Sequence, residues 1–157
     1  MNRRDIVIGL IILAVVAGII YWVRKPKPEL EIPEPSIEET LEESFKMEIP
    51  DDVEKAELKD VAGKIATGIA TRKFIEGLFT HTVIVDIPDP AEGYYYEGWL
   101  VKEDGELVST GKLRIAKGGY LLEYSSAVDY SDYSGVVITL ESKDDGVPEE
   151  HVLEGTF

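Results

Sequence analysis

Hydrophobic residues near the start of the chain form one continuous apolar run. Residues Ile6–Val23 are 18 consecutive positions without a charge, with two arginines before them and several basic residues after them. A helix of this length is about 27 Å long, close to the roughly 30 Å hydrocarbon core of a bilayer. The pattern predicts a transmembrane anchor over residues 1–25, whose partner is the lipid bilayer.

Two aromatic residues close this run. Tyr21 and Trp22 stand at its end, where amphipathic rings favour the headgroup region of a membrane. A secretory signal peptide is the alternative, with a cleavage site after Ala17. Cleavage there would leave a strongly apolar new terminus, which favours a retained anchor. The basic residues on the two flanks nearly balance, so charge alone leaves the orientation open.

Residues 26–60 follow a different pattern, rich in proline and glutamate. They include 13 acidic and four basic residues. A segment this charged buries too little apolar surface to offset its ordering entropy, and proline and like-charge repulsion extend it. The composition predicts an acidic stalk.

One part of this stalk has helical periodicity. Ser36 and Glu39 have the spacing of a capping box, and Ile37, Leu41 and Phe45 follow at intervals of four. The pattern is compatible with a short amphipathic helix over 37–46. A solvated linker with transient helix is the alternative.

From residue 61 onward, short runs of alternating apolar and polar residues are separated by turn residues. The runs predict strands near 64–74, 78–87, 94–102, 106–115, 119–125, 135–142 and 151–157. About seven short antiparallel strands predict an all-β domain over 61–157, a small immunoglobulin-like antiparallel β-sandwich. The segment 127–133 has no alternation, which predicts a loop.

The alternation also predicts which side chains point inward. Phe79, Val83 and Val85 share one face of their strand. Trp99 is assigned to the core between the two sheets, by analogy with the buried tryptophan of such sandwiches.

Charge and cysteine content narrow the function classes. The net charge is −15, from 31 acidic and 16 basic residues, which is the wrong sign for a nucleic-acid partner. The chain has no cysteine, which excludes disulfides, thiolate metal sites and a cysteine nucleophile.

Residues with catalytic or metal-binding chemistry are sparse. The two histidines, His81 and His151, both lie in predicted strands, where a structural or exposed role is the usual one. No Gly-x-Ser-x-Gly motif supports a serine nucleophile, and the acidic turns lack an EF-hand pattern. The sequence predicts no catalytic residue, no cofactor and no metal site, and therefore a protein that is not an enzyme.

Tyrosine is the most notable candidate for binding. Tyr94, Tyr95, Tyr130 and Tyr133 form two groups in or beside predicted loops. Rigid amphipathic rings give contact area at low entropic cost, so these four are the predicted interaction surface. Packing within the sheet is the alternative role.

Several short motifs follow one another along residues 78–157. They are Ile87-Pro-Asp-Pro, Tyr96-Glu-Gly-Trp-Leu-Val, Val137-Ile-Thr-Leu-Glu and Gly146-x-Pro148. In order and spacing they resemble the extracytoplasmic domain of anti-sigma-K factors. The resemblance implies a membrane-proximal β-sandwich outside the cytoplasm, with the N-terminus inside. The family's cytoplasmic sigma-binding domain has no counterpart here, since five residues precede the apolar run.

These observations lead to one expected function and one alternative. The expectation is a single-pass protein of the cytoplasmic membrane that displays an extracytoplasmic β-sandwich for binding, sensing or assembly with other envelope proteins. The alternative is an accessory component of an anti-sigma-type system that acts through a separate sigma-binding partner. An enzyme would require a polar cavity lined with ligand-binding groups.

Overall fold

The computed structural model describes residues 3–24 and 35–157. The chain divides into two compact units, Met1–Glu34 and Pro35–Phe157. Residues 25–34, which hold the first part of the predicted stalk, lie outside the described residues.

The first unit contains helix α1, Arg3–Arg24. The side chains of Tyr21 and Trp22 are exposed, whereas those of Ile6 and Val23 lie outside the described residues. Within the part of the chain that the structure describes, no helix is both long enough and apolar enough to cross a bilayer. The anchor stays a prediction.

The second unit contains one helix and nine strands. They are α2 (Ile37–Phe45), β1 (Glu54–Asp60), β2 (Thr67–Ile75), β3 (Leu78–Asp86), β4 (Tyr95–Val101), β5 (Leu107–Lys112), β6 (Arg114–Ala116), β7 (Gly119–Ser126), β8 (Gly135–Glu141) and β9 (Glu150–Thr156).

The nine strands form one antiparallel sheet that nearly closes on itself. Its order is β5-β4-β8-β9-β1-β2-β3-β7-β6, so β5 and β6 are the two ends. Only Leu113 separates these end strands along the chain, and its backbone N–H donates to the carbonyl of Tyr96 at 2.9 Å. Because one bent strand supplies both ends, the sheet is barrel-like.

The ladder between β1 and β9 is the thinnest in the sheet. It has two residue pairs, Lys59 with Glu154 and Asp60 with Leu153, whereas β2 and β3 share nine. This ladder divides the sheet into two parts. We call β1-β2-β3-β7-β6 the helix-covered half and β5-β4-β8-β9 the open half.

Both halves contribute to one interior cluster. Apolar side chains at alternate strand positions point inward and are fully buried, among them Leu58, Phe79, Val83, Leu100, Ile138 and Val152. The inward face that the sequence predicts for Phe79, Val83 and Val85 is confirmed.

Helix α2 covers the outer face of the helix-covered half. Its side chains Leu41 and Phe45, with Ile49 beyond the helix, pack against three apolar residues of the sheet, Ile69, Ile84 and Leu121. This second cluster explains why the segment folds although it is strongly acidic.

The capping box predicted for α2 is present. The Ser36 hydroxyl accepts the Glu39 N–H at 3.1 Å, and the Glu39 carboxylate accepts the Ser36 N–H at 3.0 Å. Lys46 ends the helix in the left-handed conformation, with φ of 53°. Of the two alternatives, a short helix or a solvated linker, the structure shows the helix, with bounds Ile37–Phe45.

The all-β prediction is confirmed for residues 35–157, but the arrangement differs from the predicted seven-stranded, two-sheet sandwich. All seven predicted strands are found. The run predicted over 106–115 is split at Leu113, and Leu107 and Ile115 on either side of the split are exposed. Strand β1, inside the predicted stalk, is the ninth. The folded unit begins at Pro35, so the predicted boundary at residue 61 is too late.

Candidate functional site

A broad cleft lies on the outer surface of the open half and β1. Its volume is about 740 Å³. It spans four neighbouring strands, β4, β8, β9 and β1. The residues that line it are Glu57, Lys59, Val101, Gly135, Val136, Val137, His151, Glu154, Gly155 and Thr156. We call it the β9 cleft.

Two glycines shape this cleft. A Cβ atom on Gly155 would lie 2.5 Å from the carbonyl oxygen of Glu57, and one on Gly135 would lie 3.1 Å from the Cβ of Val101. The backbones of β9 and β1 therefore approach each other more closely than a side chain would permit. Neighbouring atoms already occupy the space that a side chain would need at both positions, so the two glycines permit the close packing of the strands around the cleft.

Charged groups of both signs surround the floor. The imidazole Nδ1 of His151 lies 2.6 Å from Oε1 of Glu154, and both side chains are about half exposed. Lys59 pairs with Glu154 across the β1–β9 ladder. The cleft therefore offers donors and acceptors beside apolar contact area. Within the described residues, no group of three or more metal-ligating side chains is present.

Trp99 lies on the same outer surface as the cleft. It is 3% exposed, and its indole N–H donates to the hydroxyl of Thr139 at 2.8 Å. Strand alternation places Trp99 on the face of β4 opposite to the core residues Tyr96 and Leu100. The predicted burial is found, but Trp99 lies outside the main interior cluster, beside the cleft residue Val137.

Two carboxylates are buried near Trp99. Glu97 accepts a hydrogen bond from the Ser109 hydroxyl. Glu141 is 1% exposed, and its Oε1 accepts the Glu149 N–H at 3.0 Å. The other oxygen, Oε2, has no hydrogen-bond partner among the described residues. A buried carboxylate oxygen without a partner destabilises the fold.

The four candidate tyrosines do not form one surface. Tyr94 is exposed and Tyr95 half-buried at the start of β4, where the Tyr95 hydroxyl donates to the Lys143 carbonyl at 2.8 Å. Tyr130 and Tyr133 lie near the opposite end of the sheet, with ring centroids 5.3 Å apart. Tyr133 is only 5% exposed. Its packing role therefore replaces the predicted surface role.

The two histidines occupy different environments. His81 is 1% exposed on the inner face of β3, and its Nδ1 donates to the Thr71 carbonyl at 2.9 Å. Burial lowers the pKa of His81 to about 4, and the positive charge of Arg72 acts in the same direction. His151 lies on the outer surface of β9. The structure does not bring the pair together.

The aromatic cluster around His81 closes one end of the interior. The Phe157 ring lies 6.1 Å from the His81 ring and 4.2 Å from the Arg72 guanidinium carbon. A guanidinium nitrogen of Arg72 donates to the Tyr133 carbonyl at 2.5 Å. Arg72 thus connects strand β2 to the loop before β8.

Sequence reasoning did not predict the β9 cleft, because it gave His151 no functional role and did not bring its other lining residues together. Glu57 and Lys59 fall in the segment predicted as stalk, and Glu154 lies near the other end of the chain. A usable signal was present in β1, where Ala56 and Leu58 are apolar at alternate positions.

Comparisons with known proteins identify no relative of this chain. No family model, no curated protein and no solved structure matches it. The resemblance to the extracytoplasmic domain of anti-sigma-K factors therefore stays a prediction, carried by the sequence motifs alone.

Proposed function

We propose that this chain is a single-pass membrane protein whose β domain, outside the cytoplasm, binds another protein of the cell envelope through the β9 cleft. The uncharged run Ile6–Val23 supports the membrane anchor. The observation that carries the binding role is the cleft itself, with apolar and main-chain groups at its floor and charged groups of both signs around it.

The position of the cleft favours a protein as the ligand. It lies on the outside of four strands, so a large partner can approach it without entering the interior. Protein interfaces commonly combine an apolar centre with a polar rim. In the β9 cleft, Val101 and Val137 supply the apolar contact, and Lys59, His151 and Glu154 supply the rim.

The arrangement of the sheet supports a display module. The helix-covered and open halves enclose one interior cluster, as the two sheets of an immunoglobulin-like sandwich do. A module of this kind keeps its core inside and presents its outer surface and loops for recognition.

The test uses the full-length protein in its native membrane. Protease added to intact cells is expected to separate the β domain from the membrane anchor. Protection of the domain until the cells are lysed would reverse the orientation.

The binding role is tested by affinity purification after mild solubilisation. Glu154→Arg is expected to remove co-purifying envelope protein, because it reverses a charge at the rim. Glu92→Arg, at an exposed position outside the cleft, is the matched control and is expected to retain it. Equal loss in both variants, or none in either, would contradict binding at this cleft, provided that thermal melts show both variants folded.

A further inference from the structure

The loop between β1 and β2 exposes one apolar side chain in an unfavourable backbone conformation. Ile65 has φ of 55°, and its side chain is 96% exposed. A β-branched residue at positive φ is rare, because Cβ crowds the following carbonyl. Asparagine or glycine would relieve this strain, and a polar residue would suit the solvent. The position is therefore unfavourable in two independent ways.

The loop is held in place, so the conformation of Ile65 is not the result of a loose segment. The Asp60 carboxylate accepts the N–H groups of Ala62 and Ile65, at 2.9 and 2.8 Å. The Lys64 ammonium lies 3.0 Å from a carboxylate oxygen of Glu150 on β9. These contacts fix the loop from its start up to Ile65, whose side chain remains exposed.

Local strain maintained by surrounding contacts is typical of functional positions. A rigid apolar side chain binds with little loss of conformational entropy. We propose that Ile65 is a binding anchor that inserts into a shaped apolar pocket, rimmed by basic residues, on a protein partner.

The charge around the loop favours a protein partner with a basic rim over two alternatives, which are a second copy of this chain and a lipid bilayer. Asp60 and Glu150 flank it, the ammonium of Lys64 is already paired, and the net charge of the chain is −15. A second copy would bring more negative charge to the contact. Surface binding to a bilayer uses a broad apolar face with basic residues beside it. Fixed geometry improves the fit to a shaped pocket but gives no such advantage in fluid lipid.

Ile65 lies near the β9 cleft but belongs to a separate surface. The loop leaves β1 directly after Asp60, and its Val61 N–H donates to the Val152 carbonyl of β9 at 3.0 Å. Both strands also line the cleft, so one partner could contact both surfaces. Variants of Ile65 and of Glu154 test the two surfaces separately.

Site-specific photocrosslinking in native membranes identifies what Ile65 contacts. A photoreactive phenylalanine analogue replaces Ile65 in the full-length protein, and Ile115, exposed on β6, is the control position. The expected product is one protein, crosslinked only from position 65, at a segment with apolar and Lys or Arg residues. A lipid product, a crosslink to a second copy, or the same products from both positions would overturn the proposal.

Substitutions then measure the contribution of the side chain. Ile65→Asn, which tolerates positive φ but is polar, is expected to weaken binding of the crosslinked protein at least tenfold. Ile65→Gly is expected to weaken it similarly and to raise the melting temperature, because the strain is removed. Ile115→Asn is expected to bind as the wild type does. Wild-type affinity in Ile65→Gly would overturn the proposal, while loss of binding in Glu154→Arg would still support the cleft.

Discussion

The outer faces of the two halves of the sheet differ in the kind of residue that they bury. On the helix-covered half, apolar residues such as Ile69 and Ile84 are buried under α2. On the open half, the outer face buries polar groups, including Glu97, Thr139 and Glu141. The first face stabilises the fold, whereas the second includes a buried carboxylate oxygen of Glu141 that has no hydrogen-bond partner. The difference indicates that the helix-covered half stabilises the domain, whereas the open half is the side available for recognition.

The largest expected effect is on the helix-covered half. Phe45→Ala removes the ring that packs α2 against Ile69, Ile84 and Leu121, and should lower the free energy of unfolding by about 3–5 kcal/mol. Chemical unfolding followed by tryptophan fluorescence measures this change. Leu107→Ala, at an exposed position of the open half, is the control and should change it by less than about 1 kcal/mol. Equal losses would contradict the comparison.

The second effect concerns the buried histidine of the same half. Burial holds the pKa of His81 at about 4, so the folded state binds its proton only well below pH 6.5. The unfolded state takes up that proton as the pH falls through about 6.5, and stability is lost from there down to about pH 4. The shift corresponds to about 3 kcal/mol, to be measured as unfolding free energies at pH 7 and pH 4.5.

One variant isolates this contribution from that of the carboxylates. His81→Gln should reduce the loss of stability between pH 7 and pH 4.5, although it also lowers stability at pH 7. A wild-type pH dependence in His81→Gln would show that other groups cause the acid sensitivity.

The third prediction has the opposite sign and lies in the open half. Glu141→Gln removes a buried charge while an amide oxygen can still accept the Glu149 N–H. The unfolding free energy should rise by about 1 kcal/mol, because the unpartnered carboxylate oxygen is replaced by a neutral group. Thermal melts measure the change, with the exposed Glu92→Gln as control. A clear loss of stability would mean that the negative charge at Glu141 stabilises the folded domain.

The smallest expected effect on stability is in the cleft. Glu154→Gln weakens a half-exposed contact with His151, and such contacts contribute little. Its unfolding free energy should stay within about 0.5 kcal/mol of the wild type. A loss above about 2 kcal/mol would show that the cleft stabilises the fold, and the contrast between the two halves would fail.

Sequence periodicity predicted most of this fold because most strands have one buried face. The capping-box residues Ser36 and Glu39 also identified the start of α2 correctly. Strand β1 was missed because only Ala56 and Leu58 of its seven residues are buried, and the others are charged. The alternation of Ala56 and Leu58 is a short signal beside five charged residues, and the strand conformation depends on pairing with β2.

The site was harder to predict than the strands. The β9 cleft depends on Glu57 and Glu154 approaching each other from distant parts of the chain, and on the close contact at Gly155. The prediction for the four tyrosines rested on the general suitability of tyrosine for binding surfaces, which does not show that a particular tyrosine side chain is exposed. Tyr133 instead packs against Tyr130, because a buried ring stabilises the fold more than an exposed one.

The pairing of β1 with β9 also determines when the domain can finish folding. These strands join residues from the two ends of the folded unit, so its contact order is high and slow folding is expected. During synthesis, the strands from β1 to β8 emerge before β9 can fill its place between β8 and β1. Until then, both of those strands have an unpaired edge. An arrested chain that lacks β9 should therefore aggregate or recruit chaperones, whereas the completed domain should not.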